Sequence, residues 1–418
     1  MQLKRYRWLI LLYALFIIPQ VSRAEESPFG FYFTTRRKQV RIPFQFRSNL
    51  IIVPVRLNEQ RVVNFIVDTG VTYSIITDAT IFQQFPLTIS RKIALSGMGE
   101  GDPQQASVSI QNSISLGKVR TDNQTLLILQ KDVLHLSEYA GMPIHGIIGY
   151  ELFANLVVRF DFQHRIMTLI QPDHYHYRPG KGERCPLIIQ DNKVYTNVLT
   201  IMADKVAQLL RVLIDTGAGQ ALLVDQYQPL FARPSPDQLI RLPLGHGLAG
   251  LVNGQLGRLP FLCIGRYRLK NVLVAYPDSS NFNQKIDPLF QRQGNIGCDL
   301  LRRFRVTFHY GAGYMVLKPV KSIMLEPFEH DMSGLEIQAR GSQFNRYFIS
   351  RIIPYSPADQ AGLQTDDELL TINNQPVNCL NLGDIYQLLT AGEAKPIDVL
   401  IRRTNQLIRF HFLLKHLI

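Results

Sequence analysis

Short apolar segments separated by turn residues dominate the chain from residue 40 to residue 320. Residues 40–44, 50–57 and 62–67 alternate between apolar and polar positions or stay apolar over the length of a strand. Helical periodicity is scarce in this region, apart from a short candidate around residues 78–85. The pattern predicts two strand-rich lobes, at residues 40–172 and 183–320, joined by a linker that contains proline and glycine.

The character of the sequence changes at about residue 326. Strand-like apolar pieces now surround a helical pattern at residues 381–389, and two further strands are expected at residues 397–402 and 407–414. The mixture of helical and strand patterns predicts a third, α+β domain at residues 326–418. The first 24 residues belong to none of these domains.

Two apolar strands run into the same tripeptide of aspartate, threonine and glycine. A carboxylate at the end of a buried strand is costly unless it is hydrogen-bonded or used chemically. A glycine two residues later suits a tight turn whose backbone amides face that carboxylate. One such tripeptide would most often be a plain turn, whereas two in the same apolar frame predict two related functional loops. The copies are Asp68-Thr69-Gly70 after residues 65–67 and Asp215-Thr216-Gly217 after residues 212–214.

The repeat extends far beyond the two tripeptides. From Asp68 to Gly149 is 81 positions, and from Asp215 to Gly297 is 82. Beyond these glycines the two halves align without a gap, and apolar residues match one another along both. Matched pairs include Val158 with Val306, Phe160 with Phe308 and Met167 with Met315. This spacing predicts a duplicated domain.

These residues resemble the retropepsin and pepsin-like aspartic peptidases over roughly residues 40–320. In that family an apolar-apolar-glycine segment crosses behind each catalytic loop, and Ile147-Ile148-Gly149 matches it. The second copy, Asn295-Ile296-Gly297, departs from it because Asn295 stands where an apolar residue is usual. The resemblance implies a mainly β acid-protease fold, with two retropepsin-like β-barrel lobes forming a pseudo-dimer. Both carboxylates then lie in one chain, so a monomer without a cofactor is expected.

The resemblance also implies roles for individual residues. Asp68 and Asp215 would share one proton and activate a water molecule that attacks a polypeptide substrate. Thr69 and Thr216 would hydrogen-bond across the lobe interface, while glycines bring backbone amides close to the carboxylates. The glycines in question are Gly70 and Gly217. The flaps that close over the substrate would contain Gly97, Met98 and Gly99 in one lobe and Gly245, His246 and Gly247 in the other.

Pepsin-like enzymes place a hydroxyl residue directly after the catalytic-loop glycine, where it can donate to the carboxylate. Val71 and Ala218 occupy these positions here, much as retropepsins carry alanine. Without that donor the ionised form is less stabilised, so the carboxyl pair is expected to titrate at higher pH. We therefore predict an activity optimum that is weakly acidic to near neutral.

The C-terminal domain contains a second recognisable pattern. Residues 356–363 read Ser-Pro-Ala-Asp-Gln-Ala-Gly-Leu, and residues 367–374 carry Asp and Ile-Asn at the expected places. This resembles a bacterial PDZ domain of the kind appended to exported proteases. The resemblance implies that a peptide C-terminus adds as a strand after Gly334, with its carboxylate held by backbone amides. The residues implied are Ser333, Gly334, Leu335 and Ile337. A PDZ domain that only docks onto the catalytic body is the alternative.

Residues 1–24 have the layout of a secretory signal peptide. Lys4, Arg5 and Arg7 precede an apolar run of eleven residues, and the small residues Ser22 and Ala24 follow at the expected cleavage positions. The run is short for a membrane span, which needs about 20 residues. A retained anchor, and with it a membrane contact, is the alternative to cleavage. Together with a PDZ domain of this type, the segment indicates a periplasmic or secreted protein of a Gram-negative bacterium.

Charge and the positions of the cysteines and histidines narrow the possible classes of function. The formal charge of +12 falls to +8 once residues 1–24 are removed, and the other basic residues are scattered, which disfavours nucleic-acid binding. The four cysteines form no C-x-x-C pair, and His174 and His176 lie in the linker, so no metal or cofactor is expected. Free, buried cysteines are predicted, with a bridge between Cys263 and Cys298 as the alternative.

Two functions from different classes remain after these exclusions. The first is an exported aspartic endopeptidase that uses Asp68 and Asp215, with the PDZ domain recruiting substrate or regulating activity. The second is a catalytically inactive peptide-binding or scaffold protein that acts through its PDZ groove. Both aspartates are followed by Thr-Gly, which favours the peptidase. Peptide cleavage distinguishes the two.

Overall fold

A computed structural model describes residues 30–80, 87–201, 206–225, 234–235, 238–278 and 292–418. Strands account for most of the regular structure, which confirms the expected mainly β class. Residues 1–24 and most of the candidate helix at 78–85 lie outside the described residues. No helix in the described part of the chain is long and apolar enough to cross a membrane.

The first lobe contains a nine-stranded sheet in the order β1-β9-β6-β10-β5-β4-β8-β7, with β3 paired to β4. Its core residues sit on the inward faces of these strands, as the alternating pattern requires. Elements up to the linker are β1 (Tyr32–Phe33), β2 (Gln39–Pro43), β3 (Gln45–Arg47), β4 (Leu50–Leu57), β5 (Arg61–Val67), β6 (Ile75–Ile76), β7 (Ile89–Leu95), β8 (Gln104–Leu116), β9 (Val119–Leu129), α1 (Leu136–Ala140), β10 (Gly146–Ile148), α2 (Glu151–Ala154), β11 (Val157–Asp161) and β12 (Ile166–Ile170).

The second lobe repeats this arrangement in an eight-stranded sheet, in the order β14-β15-β16-β21-β17-β20-β19-β18. Its short helix α3 follows β21 just as α2 follows β10. The elements are β13 (Glu183–Pro186), β14 (Ile188–Gln190), β15 (Lys193–Ile201), β16 (Ala207–Ile214), β17 (Leu222–Val224), β18 (Ile240–Gly247), β19 (Gly250–Ile264), β20 (Tyr267–Pro277), β21 (Gly294–Ile296), α3 (Cys298–Leu301), β22 (Phe304–His309), β23 (Tyr314–Pro319) and α4 (Lys321–Met324).

A six-stranded sheet joins the two lobes, in the order β13-β23-β22-β11-β12-β2. At its centre β11 and β22 pair antiparallel, with Arg159 opposite Thr307. These two residues are equivalent in the sequence repeat, so the approximate two-fold axis of the pseudo-dimer passes between them. Phe160 and Phe308 lie on either side, and both are fully buried. Burying each such side chain contributes about 2–3 kcal/mol, so this sheet fixes the lobes against each other.

The C-terminal domain is built on a separate six-stranded sheet in the order β24-β25-β26-β28-β29, with β27 paired to β26. The helix expected at residues 381–389 is present as α6, and a capping box starts it. Asn381 Oδ1 accepts from the Asp384 backbone N–H at 3.2 Å, and Asp384 Oδ2 accepts from that of Asn381 at 3.0 Å. The elements are β24 (Leu335–Arg340), β25 (Arg346–Ile352), α5 (Pro357–Ala361), β26 (Glu368–Ile372), β27 (Gln375–Pro376), α6 (Leu382–Leu389), β28 (Pro396–Arg403) and β29 (Gln406–Leu413).

All four cysteines are free thiols, which leaves the alternative bridge between Cys263 and Cys298 unformed. Cys185 and Cys298 are buried, as expected. Cys379, however, is exposed and Cys263 is only half-buried. The expectation that all four thiols are buried was therefore wrong for these two, because Cys379 ends a short surface turn before α6 and Cys263 lies on a long two-sided strand.

Candidate active site

The two aspartates follow equivalent strands, β5 in the first lobe and β16 in the second. In each lobe the strand of the apolar-apolar-glycine segment runs parallel to the catalytic strand, β10 beside β5 and β21 beside β16. The backbone N–H of Asp68 donates to Ile148 O, and that of Asp215 donates to Ile296 O, both at 2.9 Å. The segment therefore holds the first residue of each loop from behind, as the resemblance implied.

The two loops interlock through their threonines. The backbone N–H of Thr69 donates to Thr216 Oγ1, and that of Thr216 donates to Thr69 Oγ1, both at 3.0 Å. Each hydroxyl in turn donates across the interface, to Ile214 O and to Val67 O, at 2.7 Å. Both threonines are buried, so breaking this four-bond set would leave unsatisfied polar groups inside the protein. The interlock keeps the two aspartates in one place.

The carboxyl groups of Asp68 and Asp215 meet between the loops and are hydrogen-bonded to each other. Gly70 N–H donates to Asp68 Oδ1 at 2.6 Å, and Gly217 N–H donates to Asp215 Oδ1 at 3.2 Å. Burial raises the pKa of Asp68 well above its usual value, and the neighbouring Asp215 carboxylate raises it further. Two carboxyls this close cannot both ionise, so the pair shares one proton.

The loop glycines are required by close approach rather than by an unusual backbone. A Cβ at position 217 would overlap the carboxylate of Asp68, and a Cβ at position 70 would lie 3.0 Å from oxygens of both aspartates. Any larger residue at either position would displace the carboxyl pair.

Asn295, which departs from the family pattern, contacts the pair directly. Its Nδ2 donates to Asp215 Oδ2 at 2.7 Å. Its Oδ1 accepts from Arg292 Nε at 2.6 Å. Because a guanidinium can only donate, Arg292 fixes the amide so that its NH₂ faces Asp215. A donor aimed at a carboxylate favours the ionised form, so this arrangement stabilises the charge on Asp215.

The two lobes differ in the residues that lie next to the carboxyl pair. Ile147 occupies the position equivalent to Asn295 in the first lobe, and Ile144 the position equivalent to Arg292. Two basic side chains face the aspartates from the second lobe, Arg292 and Lys193. Burial lowers the pKa of both, and the charge of Asp215 partly offsets that effect. Sequence analysis marked Asn295 as a departure but did not find Arg292, although it lies only three residues earlier.

Replacing Asn295 with leucine is expected to raise the acidic limb of the pH profile of kcat/KM by about one pH unit. A hydrogen bond to a charged group contributes about 1.5–3 kcal/mol, and 1.4 kcal/mol corresponds to one pKa unit. Without the amide donor, the ionised form of the carboxyl pair loses a hydrogen bond, so the pair would ionise at higher pH. The measurement is kcat/KM against pH for both proteins. Arg292→Met keeps the amide and should move the limb less, while an unchanged limb in Asn295→Leu would contradict the role assigned to Asn295.

Glu151 is a further buried carboxyl, which was not identified from the sequence. It lies directly behind the first catalytic loop, where its Oε1 accepts from the Ser74 backbone N–H at 3.0 Å. Burial raises the pKa of Glu151 to about 7. The equivalent residue of the second lobe, Asp299, instead forms an ion pair with Arg302 at 3.0 Å. The first lobe thus places a buried carboxyl behind its loop, whereas the second lobe pairs the equivalent carboxylate with an arginine.

The expected flap residues lie on two hairpins whose tips touch. The backbone N–H of Ala249 donates to Met98 O at 2.9 Å, and that of Gly101 donates to Ala249 O at 2.7 Å. Gly97, Met98 and Gly99 lie in the loop between β7 and β8, as expected. Gly245, His246 and Gly247 end strand β18, and the two-residue turn is Leu248–Ala249. The expected turn was therefore misplaced, because the strand pairing continues through the glycines.

Ser333, Gly334, Leu335 and Ile337 lie together at the start of β24 in the C-terminal domain, apart from the loops of the two aspartates in the fold. Within the described residues, no group of three or more His, Cys, Asp or Glu side chains is placed to hold a metal ion.

Comparison with known families agrees with this geometry. The aspartyl protease family matches residues 53–152, which contain Asp68 and the strand behind it. A PDZ domain family matches residues 348–403. The chain carries an aspartyl protease domain and a C-terminal PDZ domain. The protease match covers the first copy of the loop, and the interlocked threonines connect the second copy to it.

A curated relative matches a short stretch only. The probable 26S proteasome regulatory subunit p27 of Saccharomyces cerevisiae is 35% identical over 63 residues. That stretch is 15% of this chain and 29% of the yeast protein. The likeness covers less than a third of that relative, so it does not assign an activity or a partner to this aspartyl protease.

Proposed function

We propose that this protein is an exported aspartic endopeptidase that hydrolyses polypeptides with a water molecule activated by Asp68 and Asp215. The observation that carries the proposal is the hydrogen-bonded carboxyl pair, which two interlocked loops from one chain hold in place. Both halves of the site come from the same polypeptide, so a monomer is sufficient for catalysis. The proposed lobes are residues 40–172 and 183–320, and residues 1–24 are proposed to direct export.

The two carboxyl groups accept different hydrogen bonds, and this difference assigns their roles in the first step. Each carboxyl accepts from the glycine of its own loop, and Asp215 accepts in addition from Asn295. Asp215 is therefore the ionised member and takes a proton from the attacking water. Asp68 keeps its proton and donates it to the substrate carbonyl oxygen as the new C–O bond forms. The product of this step is a neutral tetrahedral diol, with the pair still sharing one proton.

The second step breaks the C–N bond. Asp215, which now carries the proton taken from water, donates it to the amide nitrogen, which leaves as an amine. Asp68 takes back a proton from a diol hydroxyl as the carboxylic acid forms. The pair thereby returns to its starting state, and one water molecule has been consumed per bond. The closed hairpins at Met98 and Ala249 would exclude bulk water during both steps.

A peptide library incubated with the mature protein from pH 3 to 8 tests this function. Cleavage is expected between internal residues, with a maximum in the weakly acidic to near-neutral range. The raised pKa of Asp68 means that its acid form persists to higher pH, and activity is lost as the pH rises through that pKa. A sharp maximum near pH 2 would contradict the prediction. Peptide binding without cleavage at any pH would favour the inactive scaffold.

A further inference from the structure

Strand β24 and helix α6 form the walls of the PDZ groove. We use this name for β24, α6 and the loop Ser333–Gly334 that precedes β24. Because β24 is at the edge of its sheet, one side of it is free of a partner strand within that sheet. An added peptide strand would pair along this edge, and its terminal carboxylate would meet the backbone amides of the loop.

The loop amides are already occupied by a carboxylate of the same domain. Asp331 Oδ2 accepts from the backbone N–H of Gly334 at 2.5 Å and from that of Leu335 at 3.0 Å. Asp331 Oδ1 accepts from the N–H of Ser333 at 3.2 Å and from its hydroxyl at 2.6 Å. Asp331 is itself buried. An incoming peptide carboxylate would therefore have to replace this internal one.

The strand edge is covered as well. The backbone N–H of Ile337 donates to Tyr386 Oη on α6 at 3.0 Å. Helix α1 of the first lobe contacts β24, where Gln338 Nε2 donates to Glu138 Oε2. Gly141, which ends α1, lies between the two walls, since a Cβ there would be 3.7 Å from that of Leu382 and 3.9 Å from that of Ala339. The occupant of the groove is thus a segment of the protease domain.

The opposite end of α1 reaches the second flap. His135, which precedes α1, contacts the ring of His246 on β18, with ring centres 5.1 Å apart. Burial and the neighbouring His135 both lower the pKa of His246. Between these ends, Tyr139 O accepts from Ser48 Oγ at 2.7 Å. The segment from His135 to Gly141 therefore touches both the PDZ groove and the hairpin of β18 and β19.

We propose that the PDZ groove is an internal docking site for helix α1, and that displacing α1 from it frees the flap that carries His246. A peptide with a free C-terminal carboxylate competes with Asp331 for the loop amides, while its backbone competes with α1 for β24. Binding and flap release are then one event. A separate contact keeps the PDZ domain attached to the second lobe while α1 is displaced. In this contact Arg258 of the second lobe donates to Phe328 O at 2.7 Å.

A disulfide staple between α1 and β24 tests the proposal. Gly141→Cys and Ala339→Cys are introduced because their Cβ atoms would lie 3.9 Å apart, within the range of a disulfide. Cys379→Ser removes the exposed thiol, and Asp215→Asn prevents cleavage of the probe. The probes are fluorescein-labelled ten-residue peptides with an apolar last residue, each made as a free acid and as an amide. Binding is measured by anisotropy with and without dithiothreitol. Gly141→Cys alone, in the same background, controls for a side chain at this left-handed backbone position.

The reduced protein is expected to bind the free-acid peptides at least about tenfold more tightly than the oxidised protein, and more tightly than it binds the amides. Equal affinity in the two redox states, or no binding in either, would overturn the docking of α1. Hydrogen exchange of residues 240–251 is expected to be faster in the peptide-bound, reduced protein than in the oxidised protein. Equal exchange rates would overturn the link to the flap.

Neither readout requires peptidase activity, so both stand if the proposed function fails. The same staple with Asp215 restored adds the one readout that rests on the proposed function. Oxidation is expected to lower kcat/KM for library peptides about tenfold relative to the reduced protein. Slow exchange and weak binding in the oxidised state without any cleavage would count against the peptidase and leave the docking intact.

Discussion

Asp68→Asn and Asp215→Asn are each expected to lower kcat/KM for peptide hydrolysis by at least about 10³-fold. General acid–base catalysis contributes about 10²–10⁴-fold, and each substitution removes one of its two partners. Asparagine preserves the shape of the side chain, and it cannot take a proton from water at Asp215 or give one to the carbonyl at Asp68. The measurement is initial cleavage rate against library peptides for the two variants and the parent protein.

Because the two carboxyls act as a unit, the double variant should be no slower than the worse single variant. Asp161→Asn serves as a control, since Asp161 lies on β11 in the sheet that joins the lobes and pairs there with His164 and Arg305. Its activity should stay close to that of the parent. Cleavage that survives in either Asp68→Asn or Asp215→Asn would contradict the shared mechanism.

The repeat along the chain predicted the pseudo-dimer because its landmarks are local. An aspartate that ends an apolar strand and a glycine at a fixed distance are properties of each lobe alone. The gapless alignment beyond Gly149 and Gly297 also places Arg159 opposite Thr307, where the two central strands pair. The interlock of Thr69 with Thr216 follows from the same symmetry.

Features that depend on packing between distant segments left weaker signals in the sequence than the repeat did, or none. Asn295 was visible as a departure, but its partner Arg292 became apparent only from the contacts that join Arg292 to Asn295 and Asn295 to Asp215. Asp331 carries a signal that could have been used, since a carboxylate two residues before Ser333 competes for the loop amides. Helix α1 has no such signal, because its role depends on a contact between domains.

Gly217→Ala is expected to lower kcat/KM by about 10²-fold or more, without a change in the residues that carry out the chemistry. A Cβ at this position would overlap Oδ2 and Cγ of Asp68, so the carboxyl has to move away from Asp215. Misplacing a catalytic group by about 1 Å can cost 10²-fold in rate. The measurement is kcat/KM at the optimum pH, together with thermal unfolding to show that the variant is folded.

Alanine substitutions at two further glycines extend the test to a series with graded expected activities. Gly70→Ala should be impaired less than Gly217→Ala, because its Cβ would lie 3.0 Å from oxygens of both aspartates and small shifts can relieve that contact. Gly311→Ala should be as active as the parent, since nothing lies within 4 Å of a Cβ there. The order of activity follows the space around each Cβ only if the carboxyl pair between the loops is the catalytic site. Equal activity in all three variants would mean that the position of Asp68 does not limit the reaction.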